Sequence, residues 1–113
     1  MSESNVVVLT GTVTGTPQRR ELADGRTVVQ FDVTVRDDTG AVGVPVAWFD
    51  PPTAGVEAEQ RVVVLGAVRR RFFRASGATQ SRTEVVAEQL IMARKKAEVR
   101  RALVAVVERI SPS

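Results

Sequence analysis

Valine supplies 22 of the 113 residues, and it falls in runs cut by glycine, proline and aspartate. That pattern commits most of the chain to strands, because β-branched side chains fit a pleated surface. The first run is "NVVVLTGTVTGTP", residues 5–17, long enough to be a strand that bends at its internal Gly11. "LADG" turns the chain into "TVVQFDVTV", residues 27–35. There Val29, Phe31, Val33 and Val35 share one face, with Val28, Gln30, Asp32 and Thr34 on the other. After the tight connection "RDDTG" comes "AVGVPVAWF", residues 41–49, where Pro45 lacks an N–H and implies an edge or a bulge. Residues 50–60, "DPPTAGVEAEQ", read as a loop with at most one helical turn. "RVVVLGAVRRRFF", residues 61–73, is the fourth strand, "RASGATQS" turns back, and residues 82–92 are the fifth. The period then changes. Val99, Leu103, Val106, Val107 and Ile110 recur at helical spacing and predict an amphipathic helix over 93–110. Five such strands suit a small closed barrel, since closure removes exposed edges.

The length is that of one domain. With no cysteine and no histidine, thiolate metal sites, disulfides and histidine-based catalysis are all excluded. The 13 acidic residues are scattered, so neither a catalytic role, a metal nor a cofactor is expected. No apolar run approaches the ~20 residues of a membrane span, and "MSESN" does not read as a signal peptide. No membrane partner is expected; a cytoplasmic, nucleoid-associated location is. The net charge of +3 hides a segregation: residues 1–60 carry −5 and residues 61–113 carry +8. GC-rich codons account for arginine over lysine but not for that division. A concentrated positive half points to a polyanionic partner.

In order and spacing these segments resemble the bacterial single-stranded DNA-binding proteins, which are built on an oligonucleotide/oligosaccharide-binding (OB) barrel. The resemblance runs from Asn5 to about Leu90. "NVVVLTGTVTGTPQ" is similar to the family's first strand, with Asn5, Gly11 and Pro17 in place. "DGRTVVQFDVTV" matches its second at Gly25, Val28 and Phe31. "PVAWF", "VVVLGAVRRRFF" with Gly66 central, and "RTEVVAEQL" resemble the third, fourth and fifth. The expected architecture is therefore all-β, a five-stranded OB barrel over 1–92 with an added C-terminal amphipathic helix and short tail over 93–113. Three departures stand out. "RDDTGAV" is far shorter than the family's second-to-third strand loop. Its helix between strands three and four shrinks to "PPTAGVEAEQ". A basic helix stands where the family has a flexible, acidic-tipped tail, so tail-mediated recruitment of repair proteins is not expected.

A binder of single strands without sequence preference needs flat aromatic platforms for bases and cations for phosphates. In the fourth strand alternation puts Val62, Val64, Val68 and Phe72 with the core, and Arg69, Arg71 and Phe73 on the other face. The resemblance agrees, implying that Phe73 is a stacker and Arg71 a neighbouring base; plain packing is the alternative for Phe73. By the same resemblance Trp48 is the second stacker. Its alternative is a core tryptophan, with Phe49 exchanging roles. Phe31 is assigned to the core. Arg36 and Arg82 are candidate phosphate contacts beside Arg69. Arg19, Arg20 and Arg26, and the helical Arg94, Lys95, Lys96, Arg100 and Arg101, are either further contacts or solvated charge. The implied function is coating and protecting single-stranded DNA in replication, recombination or repair, as a homo-oligomer, a dimer or a tetramer. An oligomeric primosome-type adaptor and an RNA-binding OB module are the alternatives. The helical stripe either packs on its own barrel or seals a subunit boundary, away from Trp48 and Phe73.

Overall fold

The computed structural model describes residues 3–52 and 55–110. Thr53 and Ala54 of the 50–60 connection, the tail after Ile110, Met1 and Ser2 lie outside the described residues. The elements are β1 (Val7–Glu21), β2 (Thr27–Asp37), β3 (Gly40–Phe49), β4 (Arg61–Ala75), β5 (Ala78–Met92) and α1 (Lys96–Ile110). The strands close into a barrel in the order β1-β2-β3-β5-β4. Neighbours run antiparallel except β3 and β5, which run parallel. The architecture is the expected five-stranded OB-type barrel with one C-terminal helix.

Two glycines make closure possible. β1 pairs with β4 over Val7–Thr12 and with β2 from Thr12 onward. Gly11 lies at that handover, and a Cβ there would collide with the Thr34 carbonyl oxygen. At Gly66 a Cβ would collide with the Val86 carbonyl oxygen. The β4–β5 register also slips at this point, from Leu65↔Gln89 to Gly66↔Ala87, so Glu88 is an extra residue on β5. Pro45 sits where β3 has only β2 beside it, because pairing with β5 begins at Val46.

The interior is filled by Val13, Val29, Phe31, Val33, Val46, Trp48, Val62, Val64, Val85 and Ala87. A second apolar layer lies outside the wall. There Val63, Leu65 and Ile91 pack against Ala102 of α1, flanked by Val99, Leu103 and Val106. So Val99, Leu103 and Val106 of the helical stripe cover their own barrel around Ala102, whereas Val107 and Ile110 are exposed. β4 is consequently buried on both faces from Val62 to Ala67, which is why "VVVLGA" shows no alternation. The helix begins at Lys96 rather than 93, since the Ala93 N–H still donates to the Arg61 carbonyl at 3.0 Å and the chain must turn first. Glu98 in its first turn and Arg109 in its last complement the helix dipole, and Arg109 pairs with Glu88 at 3.2 Å.

Beyond Gly66, β4 loses β1 as a partner, but β5 keeps β3 beside it through Val85, opposite Val68; past that point β4 and β5 continue together as a two-stranded arm. Asn5 braces its root: the Val68 N–H donates to Oδ1 at 2.9 Å and Nδ2 donates to the Val68 carbonyl at 2.8 Å. The arm closes between the paired Ala75 and Ala78 on two residues alone, Ser76 (φ 51°) and Gly77 (φ 77°). Two positive φ values match the twist of a hairpin, so only two of the eight residues in "RASGATQS" turn and both strands outrun their valine runs. The arm also revises two core assignments. Val68 is 43% exposed, because β1 no longer flanks β4 there, and Phe72 is 66% exposed, because it lies on the arm beyond the barrel wall. Among the described residues no helix is long and apolar enough to cross a membrane.

Candidate nucleic-acid interface

The pairing register decides which side chains share the outer surface. Val29 points into the barrel and pairs with Trp48, so Trp48 points inward too. It is 7% exposed, and one edge lines a cleft of about 370 Å³ with Gln60, Leu90, Met92 and Arg94. Of its two readings the structure takes the core one: an indole packed in the interior has no open face for a base. The outward aromatic position at the end of β3 belongs to Phe49, paired with Val28. The Arg26 guanidinium lies 4.9 Å from the centre of its ring.

From Phe49 the outward side continues through Ala47 to its partner Val86 on β5, and through Ala67 to Arg69, Arg71 and Phe73 on β4. Val28 and Ala47 are buried on this side yet belong to neither apolar cluster. Phe73 is half-buried, and the Arg71 guanidinium lies 5.6 Å from its ring centre. The surface thus presents two phenyl rings, each with a guanidinium beside it.

The arm supplies most of the charge. Between Arg69 and Glu84 it carries five arginines and one carboxylate. Arg71 and Arg82 pair directly across the two strands. Both reach the same Glu84 oxygen, Oε1, from Arg71 Nη2 at 3.5 Å and from Arg82 Nε at 4.0 Å. Arg71 Nε is buried with no acceptor among the described residues. The Arg69 guanidinium, opposite Glu84 in the ladder, forms no hydrogen bond or ion pair with the described residues.

Arg82 also closes one side of an open groove of about 270 Å³ with Thr14, Gly15, Thr16, Gln18, Gln30 and Asp32. The groove exists because β1 bulges there: the register jumps from Thr14↔Asp32 to Gln18↔Gln30, with Gly15 at φ 73°. Hydroxyls, amides and a guanidinium suit a phosphodiester, while Asp32 opposes one. Arg36 shares the outward side of β2 with Asp32 and Thr34 but stands near the hairpin tip, opposite Ala41, and the structure gives it no contact with the arm arginines. Arg94, Lys95, Lys96, Arg100 and Arg101 are exposed around α1, off its packed side.

Two turn carboxylates are held below the usual range. Asp24 accepts from the Arg26 backbone N–H and side chain, and Asp37 from the Thr39 hydroxyl and N–H. Both order hairpins rather than face the aromatic surface.

Glu84 was missed as a site residue in the sequence, and Arg26 was left open there between contact and solvated charge. Nothing local in "LADGRT" or "RTEVVAEQL" decides them; each matters through a partner on another strand. The chain matches no protein-family model and no curated protein.

Proposed function

We propose that this protein binds single-stranded DNA with low sequence preference, along the outer face that runs from Phe49 to the β4–β5 arm. Coating and protecting the strand in replication, recombination or repair is the corresponding role. One observation supports this reading above others: Phe49 and Phe73 lie on a common outward side, each beside a guanidinium, and the arm that carries Phe73 is rich in arginine. A phenyl face stacks on any base, and a guanidinium contacts phosphate without reading sequence. A duplex hides its base faces, so such a surface selects unpaired strands. Each base stack contributes about 1–3 kcal/mol. Self-association belongs to the same proposal, supported by Val104 and Ile110, which α1 leaves exposed.

The test is anisotropy of a labelled oligo-dT across a salt series. Wild type binds, and log affinity falls with log salt by about 0.7 for each phosphate neutralised. Phe49→Ala and Phe73→Ala each lose about 1–3 kcal/mol. Folded variants that bind like wild type would overturn the platform. Preference for a matched RNA oligomer would move the reading to RNA, and failure to bind either would move it to an oligomeric adaptor.

A further inference from the structure

Glu84 is the one buried charged side chain among the described residues, at 5% exposure, and it lies within the cationic face. A carboxylate is an odd resident of a phosphate-binding surface. Its surroundings give it a task. Arg71 and Arg82 are directly paired across the arm, and like charges in that relation repel. Glu84 places one oxygen between them. Its two contacts, at 3.5 and 4.0 Å, are long for ion pairs, so neither guanidinium is saturated. Arg71 Nε keeps an unused donor.

We propose that Glu84 is a positioning residue that sets the charge of this site: it holds Arg71 and Arg82 side by side in the free protein and withholds part of their charge from an incoming phosphate. This rests on the nucleic-acid reading above and names the residue that tunes it. In the free state the three groups sum to one positive charge. A bound phosphodiester supplies the negative charge the arginines need and relieves the repulsion that Glu84 offsets beforehand. Glu84 therefore trades affinity for stability of the unbound arm.

The experiment compares Glu84→Gln with Glu88→Gln. Each removes one carboxylate with nearly unchanged shape; Glu84→Gln releases Arg71 and Arg82, and Glu88→Gln releases Arg109. Glu88, however, is exposed and pairs with Arg109 of α1. For Glu84→Gln the expected results are a lower melting temperature without ligand, tighter oligo-dT binding at low salt, and a log–log salt slope steeper by about 0.7, one further phosphate neutralised. Glu88→Gln leaves the slope at its wild-type value. Elution from immobilised heparin, a polyanion with no bases, separates this proposal from the one it rests on. If wild type fails to bind oligo-dT but Glu84→Gln elutes from heparin at higher salt than Glu88→Gln, the charge-setting role stands and the single-strand reading falls. If the two variants elute together and share one salt slope, or if Glu84→Gln weakens binding, the proposal is overturned.

Discussion

Trp48 and Phe49 are adjacent, both aromatic, and face opposite ways. Trp48 belongs to the interior, so Trp48→Ala is expected to cost about 3–5 kcal/mol of stability through the cavity it leaves, read as a lower urea midpoint. Phe49→Ala should barely move that midpoint and should act on oligonucleotide affinity instead. The reverse pattern would exchange their roles. A second residue-scale expectation concerns Asp37. The Thr39 hydroxyl holds its carboxyl below the ordinary 3.8. Its folded pKa is depressed, so its contribution is complete above about 3.8 and is lost as pH falls through the lower folded value. Hydrogen exchange at the Thr39 amide should be protected at neutral pH and accelerate in acid, beyond the intrinsic rate. Asp37→Asn should leave little pH dependence.

At the scale of elements, the β4–β5 hairpin is two objects joined just past Gly66. Up to Ala67 β4 is barrel wall, buried on both faces; past Val68 the strands form a free arm with the charge and Phe73. The close approach of the Val86 carbonyl leaves no room for a methyl at Gly66. Gly66→Ala should cost about 1–3 kcal/mol, measured by urea unfolding, because the neighbour in the way is backbone. An unchanged midpoint would mean that the strands can separate there without penalty. On the arm, Arg69 has no acidic partner among the described residues. Arg69→Ala should flatten the salt slope of oligonucleotide binding by about 0.7 and leave the fold intact.

For the whole molecule, α1 is the second layer that lets a thin barrel bury both sides of β4. Fully burying aliphatic side chains such as those of this seam stabilises by about 1.5–3 kcal/mol each. Leu103→Asp puts a carboxylate into the seam and should lower stability by more than about 2 kcal/mol, with lost helical signal in circular dichroism. The seam ends near Leu65, short of Arg69, so the folded fraction should still bind oligo-dT as wild type does. Light scattering on the same samples reads whether the helix also holds subunits together.

The sequence by itself determined the strands, the closed barrel, the place of Phe31 in the core and the Val99, Leu103 and Val106 part of the apolar stripe of α1. These follow from period and β-branching, which act over a few neighbouring residues. It also placed Arg69, Arg71 and Phe73 on one side of one strand, because alternation there is unbroken. Only the tertiary structure decided which of Trp48 and Phe49 turns inward, since a one-residue change of register exchanges them and both are apolar. It likewise decided that Val68 and Phe72 are exposed, that Arg26 sits by Phe49, and that Glu84 stands between two arginines. Alternation tells which residues share a face; what covers that face depends on strands and a helix distant in the chain, and no local pattern encodes them.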